Sequence, residues 1–228
     1  MKIPERGSYQ GQDQFVIDAL VEKRGGFFLD SGASNGVNGS NTLRLERDFD
    51  WRGICIEPND LLFAELINNR RSLCLNCCLW KTEGVVDFLE AAGVYGGIVD
   101  AYQDGFRQFA ERQAAGTDEL PVRLEPLRKR ARTISSILAE YGAPRVIDYW
   151  SLDTEGSEFE ILQSFPFGDY RIRVLTVEHN YCMVREQIAS FLAAHGMQHV
   201  ADLGIDDVYV WSQLSARNAW RSRSWRRP

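Results

Sequence analysis

Apolar runs and helical patterns alternate along most of the chain. The runs that predict strands lie at 27–30, 54–57, 73–79, 147–153 and 173–178, and a further extended piece lies at 84–90. Apolar residues recur at helical spacing over 12–24, 41–49, 61–69, 133–141, 157–164 and 183–194. Strands and helices that alternate in this way are typical of a mostly parallel, doubly wound α/β sheet.

Two regions depart from this alternation. The strands predicted at 197–202 and 207–211 have no full crossover helix between them, so they predict a hairpin, which we place at the sheet edge. Residues 91–132 are rich in Gly, Ala, Gln and charged residues without a clear period, and we interpret them as an insertion or lid. We expect a single domain over 1–228 that ends in an Arg-rich tail at 213–228.

The bulk composition argues against several classes of protein. The chain has 228 residues and a net charge of −6, which disfavours a nucleic-acid partner held by a global positive field. No apolar signal segment follows Met1, and no apolar run reaches the ~20 residues of a membrane span. Five cysteines, an odd number, are typical of a reducing compartment, so we expect a cytoplasmic protein without a membrane partner. For the Arg-rich stretch 123–132, a solvated loop is the favoured interpretation and contact with an acidic acceptor is the alternative.

The first two strands end in polar residues that suit an adenosine-containing cofactor. Strand one ends in Asp30 and runs into a loop that carries Gly32 and Gly36, and strand two ends in Glu57. Two parallel strands that end side by side in this way hold such a cofactor in open α/β sheets. Glu57 can accept both ribose hydroxyls, and Asn76 after strand three can present an amide to a purine edge.

The loop after strand one does not follow the GxGxxG pattern. Counted from Gly32, Ser34 and Val37 stand where the second and third glycines are required. The pyrophosphate geometry of NAD enzymes is therefore disfavoured.

The ends of strands four and five gather acidic residues and an imidazole. Asp153 ends strand four and Glu155 follows it, while Glu178 ends strand five and His179 follows it. Because carboxyl ends of parallel strands meet at one edge, we expect these side chains to lie close together. Such a group predicts either a general base or a divalent metal site with oxygen ligands, and the sequence leaves both open.

These residues resemble the FkbM-type methyltransferases, which use S-adenosylmethionine on a class I methyltransferase fold. The segments that carry the resemblance are 11–13 with 15–16, 28–33, 39–42 with 45–46, 51–59, 147–158 and 177–180. They cover most of the chain in the order of the family. The resemblance implies a Rossmann-like fold with a mostly parallel seven-stranded sheet, helices on both faces and an antiparallel edge hairpin.

The resemblance also implies which residues bind the cofactor. The residues expected to line the pocket are Asp30, Gly32, Ser40, Asn41 and Glu57, with Gln12 and Asp13 closing over the methionine end. Asn76 and Asp153, at the ends of strands three and four, complete the expected set.

The implied reaction is methyl transfer to an acceptor oxygen. His179 is the favoured general base, and Asp153 and Glu178 are further catalytic candidates. A magnesium ion held by Asp153, Glu155 or Glu178 is the alternative means of activating the acceptor hydroxyl. We expect the acceptor to be a carbohydrate or a glycosylated natural product.

Other functions remain open at this point. The alternatives are O- or N-methylation of a polyketide or another small molecule, a NAD-binding oxidoreductase or epimerase, and a non-catalytic module that binds S-adenosylmethionine. The partner is expected to be a small molecule or a glycan, and a homodimer is left open.

Overall fold

A computed structural model describes residues 7–90, 96–101, 125–179 and 184–215. The strands are β1 Phe27–Ser31, β2 Arg52–Ile56, β3 Leu73–Leu75, β4 Cys78–Leu79, β5 Gly84–Leu89, β6 Gly97–Ile98, β7 Leu127–Arg132, β8 Val146–Leu152, β9 Arg171–Glu178, β10 Met197–Leu203 and β11 Asp206–Trp211. The helices are α1 Gln12–Ala19, α2 Leu43–Phe49, α3 Asp60–Asn69, α4 Ile134–Glu140, α5 Glu158–Gln163, α6 Val184–Ala194 and α7 Ser212–Ser215.

Seven strands form the main sheet in the order β10-β11-β9-β8-β1-β2-β3. The strands from β9 to β3 in this order pair in parallel, whereas β11 runs antiparallel to both β9 and β10. The predicted fold class, a mostly parallel Rossmann-like sheet with an antiparallel hairpin at one edge, is confirmed.

Helices cover both faces of the sheet, which explains why the strands are nearly continuous apolar runs. Phe28 and Tyr149 pack with α1, α2 and α3, while their chain neighbours Leu29 and Trp150 pack with α4, α5 and α6. All four side chains are fully buried. Burial of each such side chain stabilises the fold by about 1.5–3 kcal/mol.

A second sheet of four strands has the order β4-β7-β5-β6. The strand predicted over 73–79 is wrong in this respect, because the chain leaves the main sheet after Leu75 and Cys78–Leu79 pairs with β7. At the break, the side-chain amide of Asn76 donates to the Glu57 carbonyl at 3.1 Å.

The predicted insertion at 91–132 contributes to this second sheet. Its described parts, 96–101 and 125–132, contain β6, a short 3₁₀ helix and β7. The remainder of the insertion lies outside the described residues, as does 216–228 of the predicted Arg-rich tail. Within the described part of the chain, no helix combines the length and apolar character of a membrane span.

The close contact between the ends of β1 and β8 predicts that substitution of Gly32 strongly destabilises the fold. Its φ is +81°, and a Cβ there would lie 1.7 Å from the Asp153 carbonyl oxygen. We expect Gly32→Ala to lower the free energy of unfolding by more than about 4 kcal/mol, or to prevent folding.

Gly142→Ala is the matched control for this substitution. Gly142 also has a positive φ of +59°, but apart from its chain neighbours no atom of the described residues lies within 4 Å of its added Cβ. We expect Gly142→Ala to lower the free energy of unfolding by only about 1–2 kcal/mol, the strain of a left-handed backbone at a residue with a side chain. Urea unfolding of both variants measures the difference, and equal losses would contradict the close contact at Gly32.

Candidate active site

The candidate active site lies at the carboxyl ends of β1, β2, β8 and β9. β1 pairs with β2 on one side and with β8 on the other, so the strand order reverses at this crevice. The ends of β1 and β8 touch, because the Asp153 N–H donates to the Ser31 carbonyl at 3.1 Å. Gly32 lies against the Asp153 carbonyl. The loop after β1 and the Asp153 segment therefore border one crevice.

Glu57 lies beside this loop, immediately after β2. Its carboxylate accepts the Ser34 N–H and the Asn59 N–H, both at 2.8 Å. Burial raises the pKa of Glu57 to about 7, against the opposing effect of these two donors. Each carboxylate oxygen keeps a further lone pair, so Glu57 can also accept hydrogen bonds from a ligand. Asn76 lies next to it, with its amide on the Glu57 carbonyl.

Asn41 connects the same loop to β8. Its Nδ2 donates to the Ser151 Oγ at 2.9 Å, two residues before Asp153. Its Oδ1 is buried and, among the described residues, has no hydrogen-bond partner. A buried amide oxygen without a donor is costly, so this atom is suited to a donor on a ligand.

A buried guanidinium that the sequence did not single out lies behind the loop. The Arg70 Nε bonds the Glu46 carboxylate at 2.9 Å, and Nη1 lies 3.4 Å from the Asp30 carboxylate. Arg70 also donates to the Thr42 Oγ1 at 2.8 Å and to the Ser40 Oγ at 3.3 Å. Desolvation raises the pKa of Asp30, and Arg70 opposes that shift. Asp30 and Ser40 thus have partners inside the protein, and their contact with a cofactor stays a prediction.

The start of α1 packs against the start of β11. The Gln12 amide donates to the Asp206 carboxylate, and Asp13 accepts a 2.6 Å hydrogen bond from the Ser8 hydroxyl. Asp206 pairs in register with Glu178, which brings Gln12 to the carboxyl end of β9. Burial raises the pKa of Asp206 to about 6. The predicted hairpin left Asp206 one residue before its second strand, and no sequence pattern linked this acid to Gln12.

Three predicted carboxylates come together at the ends of β8 and β9. Asp153, Glu155 and Glu178 each offer an oxygen, and these oxygens lie within 4.8 Å of one another. Burial raises the pKa of Asp153 to about 7. Burial and neighbouring carboxylates raise the pKa values of Glu155 and Glu178 as well. The Glu178 Oε2 is buried and lacks a hydrogen-bond partner among the described residues, so a proton or a cation is needed here.

A tight turn aims Glu155 at this group. Glu155 has a left-handed φ of +58°, which is uncommon for a residue with a side chain. Glu158 holds the turn, because its carboxylate accepts the Thr154 N–H at 2.7 Å and the Gly156 N–H at 3.1 Å. Backbone strain of this kind is found most often at functional sites. The sequence places Glu158 in a predicted helix and at the end of the segment 147–158 that resembles the family, but does not indicate its role in this turn.

His179 lies beside a second group of charged residues. It is buried, and its Nε2 is 3.7 Å from the Asp207 carboxylate. Arg185 and His199 also bond Asp207, at 2.8 Å and 3.1 Å. Burial lowers the pKa of His179, and Asp207 acts in the opposite direction. Asn180, the next residue of the motif, lies outside the described residues.

The described part of the basic stretch 123–132 is largely paired within the chain. Lys129 bonds Asp60 at 2.7 Å and Glu90 at 2.9 Å. Arg132 bonds Glu140 at 2.6 Å. These contacts give no support to the alternative that the stretch binds an acidic acceptor.

Glu57 predicts a specific dependence of stability on pH. Because its pKa rises from 4.5 to about 7 on folding, its protonated form favours the folded state. That contribution is fully present below the unfolded-state pKa and is lost as the pH rises through the folded-state pKa. Between roughly pH 5 and pH 8, we expect wild type to lose about 2 kcal/mol more unfolding free energy than Glu57→Gln.

Urea unfolding at several pH values measures this difference. Glu186→Gln is the control, because Glu186 is exposed on α6 and should leave the wild-type pH dependence unchanged. Parallel pH profiles for wild type and Glu57→Gln would contradict the prediction.

No curated protein sequence matches the chain significantly, but solved structures of methyltransferases align with it. A precorrin-6Y C5,15-methyltransferase from Geobacter metallireducens aligns at 11% identity over 87% of this chain and 86% of its own, with a TM-score of 0.45. The methyltransferase FkbM from Methylobacillus flagellatus aligns at 15% identity over 82% of this chain, with a TM-score of 0.47. The alignment spans only 44% of that longer protein.

A third structure, a SAM-dependent methyltransferase from Geobacter sulfurreducens in complex with S-adenosyl-L-homocysteine, aligns at 11% identity over 86% of this chain and 67% of its own, with a TM-score of 0.35. The sequence comparison is more specific. Residues 30–203, most of the chain, match the methyltransferase FkbM domain. The matched range includes Asp30, Asn41, Glu57, Asp153 and Glu178. The chain therefore belongs to the FkbM methyltransferase family.

Proposed function

We propose that this methyltransferase transfers a methyl group from S-adenosylmethionine to a hydroxyl of an oligo- or polysaccharide or of a glycosylated natural product. One observation carries the proposal most. The crevice between β1 and β8, inside the FkbM domain, presents acceptor atoms at the ends of β2, β8 and β9 and in the loop before α2. These atoms belong to Glu57, Asn41, Asp153 and Glu178.

The residues at the crevice suit the methyl donor. The Glu57 carboxylate fits the two ribose hydroxyls, and the Asn41 Oδ1 fits the ammonium group of the methionine part. The acidic group at β8 and β9 favours a positive charge nearby. When bound, S-adenosylmethionine supplies an electrophilic methyl group that needs no activation by the protein.

The acceptor hydroxyl needs activation, because it is a poor nucleophile at neutral pH. His179 is the proposed general base, since burial favours its neutral form, which can take a proton. Asp207, 3.7 Å from the Nε2, compensates the positive charge that proton uptake creates on the ring. Asp153 and Glu178 then bind and orient the hydroxyls of the acceptor.

A magnesium ion is the second proposed means of activation. Asp153, Glu155 and Glu178 would hold it, because hard cations prefer oxygen ligands and these carboxylate oxygens already lie within 4.8 Å of one another. The Glu178 Oε2, which has no hydrogen-bond partner in the described part of the chain, fits such an ion. Its chemistry would be that of a Lewis acid that lowers the pKa of the acceptor hydroxyl.

The carboxylates of the site also indicate the class of the acceptor. Carboxylates accept hydrogen bonds, so the site suits a polyhydroxylated acceptor better than an apolar one. The absence of nucleic-acid and membrane partners, a cytoplasmic location and a homodimer stay predictions.

Binding of the donor is the first test. We expect wild type to bind S-adenosylmethionine and S-adenosylhomocysteine in the micromolar range by calorimetry. Glu57→Ala should weaken both by about 100-fold, because two charge-assisted hydrogen bonds are lost. Glu186→Ala, an exposed site on α6, should bind as wild type does. Folded wild-type protein that binds neither ligand would overturn the proposal.

Acceptor activation is the second test. Transfer of radiolabelled methyl groups to a panel of oligosaccharides and glycosides should identify an acceptor, with the label on oxygen. For that acceptor, we expect His179→Ala to lower turnover by about 10²–10⁴-fold. His195→Ala, which removes an imidazole at the end of α6, serves as control and should keep wild-type turnover.

Each outcome bears on a different part of the proposal. Wild-type turnover in His179→Ala would exclude His179 as base. Full activity in excess chelator would exclude the metal. A methyl group found on nitrogen would replace O-methylation with N-methylation.

A further inference from the structure

Arg70, the residue after α3, is buried behind the cofactor crevice, and its side chain has no exposed surface. All of its contacts are internal. It lies between the Glu46 and Asp30 carboxylates, and its guanidinium carbon is 5.4 Å from the Phe28 ring centroid. Because its donors face inward, Arg70 acts on a ligand only through the residues that it holds.

Arg70 contacts the loop after β1 at two places. A Cβ on Gly36 would lie 2.7 Å from the Arg70 Cγ, so the loop backbone packs directly on the aliphatic part of the side chain. Further along the loop, the guanidinium donates to the Ser40 and Thr42 hydroxyls. The Ser40 Oγ in turn accepts the Leu43 N–H at 3.1 Å, at the start of α2.

Asn41 stands between the two hydroxyl residues that Arg70 holds. Its own amide is fixed to Ser151 through Nδ2, which leaves the buried Oδ1 without a partner among the described residues. Three contacts thus hold Asn41: one through each chain neighbour and one through β8. The position of its Oδ1 therefore depends on the position of Arg70.

We propose that Arg70 is a positioning residue that places the Asn41 Oδ1 to accept a hydrogen bond from the ammonium group of the bound methyl donor. This inference rests on the proposed function, since it presupposes that the crevice binds S-adenosylmethionine. Arginine is required because a planar fork can bond Glu46 through Nε while its other nitrogens reach Ser40 and Thr42. A lysine keeps the charge but offers a single point of contact.

Two ligands that differ only in the amino-acid part provide the test. S-adenosylhomocysteine carries the ammonium and carboxylate groups, whereas 5′-methylthioadenosine shares the adenosine and thioether but lacks both; only the ammonium group can donate to the Asn41 Oδ1. By calorimetry, we expect Arg70→Lys to weaken S-adenosylhomocysteine at least tenfold and to change 5′-methylthioadenosine less than twofold. Asn41→Ala should give the same selective loss, and the double variant should add little to it.

Further variants guard against a trivial loss of structure. Thr42→Val removes one of the Arg70 contacts and should give a smaller selective loss, whereas Thr42→Ser keeps the hydroxyl and should bind as wild type does. Arg71→Lys is the matched control, because Arg71 is the next residue in the chain and its side chain is 69% exposed. Thermal unfolding of each variant verifies that it is folded.

The outcomes separate the two proposals. Equal weakening of both ligands in folded Arg70→Lys and Thr42→Val would reduce Arg70 to a structural role and overturn the inference. Unchanged binding in both variants would do the same. Wild type that binds neither ligand would overturn the proposed function, and this inference with it.

Discussion

The interaction on which the rest of the structure depends most is the pairing of the buried Arg70 guanidinium with acidic and hydroxyl side chains. A guanidinium without exposed surface is tolerated only when opposite charges and hydrogen-bond acceptors surround it. Arg70 meets this condition with the carboxylates of Asp30 and Glu46 and the hydroxyls of Ser40 and Thr42. These partners come from β1, from α2 and from the loop between them. One buried cation therefore ties the central strand, the crevice loop and the end of α3 into a single unit.

The carboxylates at the ends of β8 and β9, on the other side of the crevice, differ from Arg70 in their partners. Asp153, Glu155 and Glu178 lie together without a described lysine or arginine among their hydrogen-bond or ion-pair partners. Burial of these carboxylates disfavours their charged form and raises their pKa values. For Arg70, the surrounding carboxylates offset this cost of burying a charge. Buried carboxylates of this kind favour a ligand that brings positive charge or hydrogen-bond donors. The methyl donor, a hydroxylated acceptor and a divalent cation all have this property. The Arg70 network on the other side of the crevice already has its own internal partners.

Much of this arrangement could be predicted from sequence, because sheet strands buried on both faces read as apolar runs and polar residues at their ends stand out. Glu57, Asp153 and Glu178 stand out as candidates in this way, and the structure places them at the strand ends that border the crevice. Arg70 was not, since its partners lie 24–40 residues away in the chain and it reads as an ordinary helix end. The role of Asp206 could not be predicted either, because its partner Gln12 lies 194 residues away in the chain. The break at Asn76 was missed because Cys77, Cys78 and Leu79 continue the apolar run.

The small sheet has a consequence for how this domain can diverge. β6 and β7 stand on either side of a long segment of the sequence, and both strands pair with β5. The ends of the intervening segment are thus anchored to one strand that lies outside the main sheet. A relative can lengthen, shorten or exchange that segment without altering the register of β1, β2 or β8. Evolution can in this way retain the crevice between β1 and β8 while varying the segment that joins β6 to β7.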